Sequence, residues 1–130
     1  MSPAIKKLYL YIVILSFISE QLYNDCKSKT LYTYVLSILH HFSSMFLYLG
    51  PFLFNYHRFH LTIMILTLIG WMSNSNKCLL SLEYNKKCGI NKDVNFKDLT
   101  YRFYEIFKIN RLHWKMSFIL IIYDIYMIMK

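Results

Sequence analysis

Uncharged residues run without a break from Thr30 to His57, 28 positions, and after the single Arg58 they resume for 18 more, from Phe59 to Asn76. A bilayer core of roughly 30 Å is crossed by about 20 predominantly apolar residues in a helix, so these runs predict two spans, about 31–54 and 60–73. Gly50-Pro51 falls near the end of the first, where the proline ring removes a helical hydrogen bond and kinks the last turn. A shorter apolar stretch, Leu8 to Ser19, precedes them. If Lys6 and Lys7 extend their charged ends toward water, it lengthens to a span of about 5–22. A basic start and a short apolar run also describe a signal peptide. Phe17-Ile18-Ser19 lacks the small upstream residue that cleavage needs, which favours a retained helix. The last span covers about 112–129, with Trp114 and Lys115 at its start and Trp71 near the end of the preceding one as interface anchors.

Between Trp71 and the last span lies the only long polar stretch, 74–111. Phe96, Leu99, Phe103, Ile106 and Phe107 recur there at helical spacing, with Lys97, Asp98, Arg102 and Lys108 between them, and predict an amphipathic helix over about 96–108. Asn95 is its expected N-cap, with Asp98 in the first turn and spaced to pair with Arg102. A basic helix with an aromatic face either lies in the interface plane or packs on the ends of the bundle. The fold expected is therefore all-α, an integral membrane bundle of about four transmembrane helices plus one amphipathic interfacial helix, in a single domain over 1–130.

Composition agrees. Hydrophobic residues make up 56% of the chain and charged ones 17%, more apolar surface than a soluble domain of 130 residues can hide and too little charge for disorder. The net charge of +8 sits outside the apolar runs and no nucleic-acid-binding motif accompanies it, so the expected partners are the lipid bilayer, anionic headgroups or a membrane protein, and not nucleic acid. With four spans, eleven Lys and Arg fall on the face of the polar stretch and four on the other, which directs the polar face to the cytoplasm. Cys26, Cys78 and Cys88 share that face. Ten residues separate Cys78 from Cys88, an easy loop for a disulfide, and such a bond requires an oxidising compartment instead.

Ionisable groups inside spans come first as functional candidates, because they are costly there. A hairpin of the second and third spans about Tyr56 brings His40 and His41 level with the end of the third. The candidate cluster is then His40 or His41 with Trp71, Asn74 and Cys78. A haem or metal held at His40/His41 is one reading, and histidine hydrogen bonds that lock helix packing are the simpler one. Adjacent histidines point about 100° apart on a helix, so one at most faces any given site. Asp124, the one carboxylate in the last span, is expected to pair with Arg58 or His60 at the opposite membrane face. No phosphate-binding glycine loop, G-x-S-x-G, H-E-x-x-H or C-x-x-C occurs.

From His40 to Gly89 the spacing resembles a family of small bacterial membrane proteins known only as a domain of unknown function. That pattern runs from a His early in one span to a His opening the next, then Trp, then Cys-Pro-Leu-Thr-Pro-Leu-Glu-Asn and a Gly. Here His41 or His40, His60 and Trp71 match the first positions, and Cys78-Leu79-Leu80-Ser81-Leu82-Glu83-Tyr84-Asn85 parallels the loop, with Gly89 after it. Leu79 and Leu82 stand in place of both prolines, Ser81 in place of Thr, and Tyr84 in the Glu register. The loop is also similar to those of small integral membrane proteins of large DNA viruses. Both resemblances imply a compact helical membrane protein with an ordered loop after Trp71, which Ser81 and Asn85 cap or brace, and neither implies an activity.

Two functions follow as expectations. One is a structural, assembly or interaction role in a membrane, viral or otherwise. The other is a membrane-bound redox or lipid-modifying enzyme using His40/His41 and Cys78.

Overall fold

The computed structural model describes residues 2–24, 26–109 and 111–130, and among them the chain is helical with no strand. Six helices follow in order: α1 (Pro3–Tyr23), α2 (Leu31–Leu53), α3 (His57–Ser73), α4 (Leu79–Cys88), α5 (Leu99–Phe107) and α6 (Leu112–Met129). Their ends follow local chemistry. Ser2 caps α1 ahead of Pro3, whose missing N–H costs nothing in a first turn. Thr30 and Thr33 form a reciprocal capping box at the start of α2. Pro51 lies inside the last turn of α2, and the Phe54 N–H closes that turn on the Gly50 carbonyl at 2.8 Å.

The polar stretch holds two helices rather than one. Helix α4 was not visible as an apolar pattern, because its buried residues are Ser81, Tyr84, Asn85 and Cys88, mostly polar and at helical spacing. It ends at Gly89, left-handed at φ +65°, with the Ile90 N–H reaching back 2.9 Å to the Asn85 carbonyl. That conformation favours glycine. Helix α5 begins three residues later than the periodicity suggests, and Asp98, not Asn95, is its N-cap: the carboxylate accepts the Tyr101 N–H at 2.8 Å. Asp98 therefore does not pair with Arg102. Arg102 instead bonds Glu105 at 2.7 Å and lies over the Tyr23 ring.

Helix α2 is the hub, packing on α1, α3, α4 and α6, while α3 and α6 pack on each other and α5 rests on α1. Helices α2 and α6 are long and apolar enough to cross a membrane, by length and composition. Helix α1 matches them in length but carries Lys6, Lys7 and Glu20, and α3 has 17 residues.

The interior is polar where a soluble core would be oily. Buried positions of α2 include Thr33, Ser37, His40, His41 and Ser44; those of α1 include Ser16 and Glu20; those of α6 are Ser117, Leu120 and Asp124. Leu15, Ile18, Leu39, Leu66, Ile69, Ile119 and Ile122 face outward.

One disulfide joins Cys26, just after α1, to Cys88 at the end of α4, and Cys78 is free. This differs both from reduced thiols, the default for a cytoplasmic loop, and from the Cys78–Cys88 bond that the spacing allows. The two residues sit at opposite ends of α4, and ten residues of helix hold them about 15 Å apart. Sequence proximity favoured the pair, and helix formation forbids it.

Candidate functional site

Three buried polar clusters tie the helices together, and they differ in what each leaves unsatisfied. The first joins α3 to α6. Asp124 is fully buried and spends both oxygens on histidines, His57 Nδ1 at 2.9 Å and His60 Nδ1 at 2.5 Å. His60 Nε2 lies 3.0 Å from the Leu47 carbonyl, so its second nitrogen is engaged by α2. The structure brings Asp124 to His60, but not to Arg58, which is exposed while His57 takes the remaining carboxylate oxygen. His57 opens the first turn of α3, one turn before His60, a spacing that presents both rings on one face.

The second cluster joins α1, α2 and α4 around Glu20. Its carboxylate accepts the Ser37 hydroxyl at 2.9 Å, the Tyr84 hydroxyl at 2.7 Å, and the side-chain amides of Gln21 and Asn24. His41 Nδ1 lies 2.9 Å from Ser16 Oγ, and its other nitrogen sits 3.9 Å from Glu20. Burial, and then the Glu20 contact, push the Tyr84 phenol well above its ordinary value. Glu20 falls inside the expected span of about 5–22, and its signal was the pair of side-chain amides near it, Gln21 and Asn24, which a buried carboxylate needs as donors.

The third cluster is built around His40 and opens onto a cavity of about 290 Å³. Asp98 reaches it from the start of α5, 3.2 Å from His40 Nε2, and also accepts the Ser44 hydroxyl at 3.0 Å. Ser81 Oγ lies 3.1 Å from His40 Nδ1, and the Phe96 ring covers the imidazole at 3.9 Å between centroids. Cys78, the N-cap residue of α4, lines the same cavity as His40. Burial opposes the charge on Asp98, but its His40 contact, the Tyr101 amide and Ser44 hold the carboxyl below the usual carboxylate range. Burial likewise pushes the Cys78 thiol up. The imidazole and the amides of Leu80 and Ser81 outweigh it and leave the thiol below its ordinary value, although neither amide closes a capping hydrogen bond.

Of the residues expected to cluster, His40, Cys78 and Ser81 therefore meet. His41 turns to α1, where its ring meets Ser16, while His40 faces the cavity. Their rings stand 5.9 Å apart and at 82°, as neighbours on one helix must. Trp71 packs instead on His113 and Trp114 between α3 and α6. Asn74 bonds the Gly70 carbonyl at the end of its own helix, and Asn85 braces the loop through the carbonyls of Asn91 and Val94. Asp98 was missed as a site residue because a place in the first turn and a pairing with Arg102 already accounted for it in the sequence. Among the described residues no group of three or more His, Cys, Asp or Glu is arranged to hold a metal ion. Compared with protein-family models, curated proteins and solved structures, the chain matches none.

Proposed function

We propose that the chain is a multi-pass membrane protein in which α1, α2, α3 and α6 cross the bilayer and α4 with α5 form a cap at one surface, with a structural or assembly role in that membrane. The observation that carries this reading is the inverted interior. Asp124, Glu20, His41 and His60 are each at most 1% exposed, while Leu15, Ile69 and Ile122 are more than half exposed. In water the exposed apolar surface would drive aggregation, whereas in lipid it costs nothing, and paired polar groups facing inward are the expected glue between spans.

The cap suits the headgroup layer. Phe103, Ile106 and Phe107 project from α5 with Lys108 and Arg111 beside them, a face for anionic headgroups or for a membrane protein partner. Its orientation follows from Cys26–Cys88, which favours an oxidising compartment over the cytoplasmic side suggested by Lys and Arg counts. Lys outnumbers Arg twelve to three here, alongside many Ile, Asn and Tyr, a composition bias that weakens the count as a topology signal.

Alkaline carbonate extraction followed by thiol labelling from each side of sealed membranes tests both parts. The protein is expected to stay in the pellet. Cys78 is expected to label without reductant and Cys26 and Cys88 only after reduction, all from the non-cytoplasmic side. Release by carbonate removes the multi-pass reading, and labelling of Cys26 and Cys88 from the cytoplasmic side without reductant removes the orientation.

A further inference from the structure

Among the described residues, the His40 cluster joins buried polar groups to a cavity that a free thiol also lines. We propose that Cys78 takes up an activated fatty acyl group as a thioester, with His40 as the base and Asp98 positioning the imidazole. The inference rests on the membrane placement argued above only for where the acyl donor comes from.

The geometry assigns each role. Asp98 Oδ2 accepts from His40 Nε2, which fixes the tautomer that leaves Nδ1 as the basic nitrogen, and Nδ1 faces α4 through Ser81. Ser44 and the Tyr101 amide hold the carboxylate in place. Cys78 sits at the N-terminus of a ten-residue helix, where the amide ends favour a thiolate and, after attack, the oxyanion of the tetrahedral adduct. Tyr48, Tyr101, Tyr104 and Leu112 supply aromatic and apolar wall, and exposed Arg111 supplies a cation at the cavity's edge. At about 290 Å³ the cavity lies at the small end for ligand sites, enough for the reacting end of an acyl donor whose tail stays in the bilayer.

The alternative thiol chemistry, disulfide exchange, lacks a reachable partner among the described cysteines. The Cys26–Cys88 bond lies at the far end of α4, about 15 Å of helical rise from Cys78. Acylation needs no oxidant. The Cys78 proton passes to His40, the sulfur attacks the acyl carbonyl, the bond from the carbonyl carbon to its leaving group breaks, and His40 returns the proton to that group. Water then attacks the thioester carbonyl, giving a proton to His40; the bond from the carbonyl carbon to sulfur breaks, and His40 passes that proton to the sulfur, releasing a carboxylic acid and the free thiol.

The donor's source, a soluble acyl thioester or a phospholipid ester, is separated by the experiment. Purified full-length protein in lipid nanodiscs is incubated with palmitoyl-coenzyme A in one arm, and in the other arm with nanodiscs carrying labelled phospholipid and no added thioester. Intact mass then reports any adduct. The expected result is one acyl group on Cys78 in at least one arm, lost in neutral hydroxylamine and absent in Cys78→Ser. His40→Gln should slow its formation by about 100-fold or more and Asp98→Asn by about tenfold or more. Should either variant fail to fold, the rate of iodoacetamide reaction with wild-type Cys78 against pH decides, since an assisted thiol keeps its rate below the ordinary thiol range and an unassisted one does not. No hydroxylamine-labile adduct in either arm, equal rates in His40→Gln, or an ordinary pH profile overturns the proposal. Carbonate extraction reads the membrane placement separately, so either can fail alone.

Discussion

The pairs His60–Asp124 and His40–Asp98 use the same two side chains, yet the first is closed and the second open. Asp124 is wholly buried, both of its oxygens and both nitrogens of His60 are engaged by protein, and neither residue lines the cavity beside His40. His40 and Asp98 have protein partners too, but they line a cavity that also holds a free thiol. A buried polar pair inside an apolar shell is explained by packing when nothing approaches it. Access for a reactant separates the two clusters more clearly than residue type does.

The largest effect should come from removing the closed carboxylate. Asp124→Ala strips His57 and His60 of their partner at a fully buried site and should cost about 3 kcal/mol. This is the low end for a buried pair, because the unfolded state inside a membrane also finds partners for polar groups. Asp98→Ala should cost less, about 1–2 kcal/mol, since the cavity lets water replace the lost contact. Unfolding midpoints in mixed detergent titrations would measure both. Equal losses would mean that the open and closed clusters are energetically alike, and the distinction would fail.

Next comes the disulfide. Cys26–Cys88 spans 62 residues, including α2 and α3, so an unanchored chain would lose a large loop-closure term with it. On the proposed multi-pass reading the bilayer restrains the ends of α2 and α3, and we expect Cys26→Ser to cost about 2 kcal/mol. The loss should fall on the cap. Hydrogen exchange should quicken in α4 and α5 and stay unchanged around His60 in α3. Acid should act the same way. The Asp98 carboxyl is held below its unfolded value, so its contribution is complete above about pH 4 and is lost as pH falls through the folded value. Exchange in α5 should therefore rise on acidification before exchange in the middle of α3 does. Simultaneous loosening would show that the cap and the bundle form one cooperative unit.

Much of this arrangement was legible along the chain. Charge-free runs located α2 and most of α3, the ionisable residues within them pointed to His40 and His60, and Asp124 stood out as the one carboxylate of the last span. Three features could not be read. Helix α4 buries Ser81 and Asn85, so a search for apolar periodicity passes over it. The disulfide depends on that helix, because only once 79–88 is helical does Cys88 move away from Cys78 and toward the end of α1. Asp98 met His40 across 58 positions, a distance no local pattern encodes.

The smallest effects should come from the two glycines of the α2–α3 pair, and they probe how tightly the closed cluster is held. A Cβ added at Gly50 would lie 3.1 Å from His60 Cδ2 and 3.2 Å from the Phe46 ring. Both are tighter than ordinary contact. His60 cannot easily yield, because its two nitrogens are engaged by Asp124 and the Leu47 carbonyl. Gly50→Ala should therefore destabilise by about 1–2 kcal/mol. At Gly70 an added Cβ meets nothing within 4 Å, so Gly70→Ala gains helix propensity without a clash and should stabilise by up to about 1 kcal/mol. The same detergent titration reads both. If Gly50→Ala is also stabilising, the His60 ring has room to move, and the closed cluster is looser than its hydrogen bonds imply.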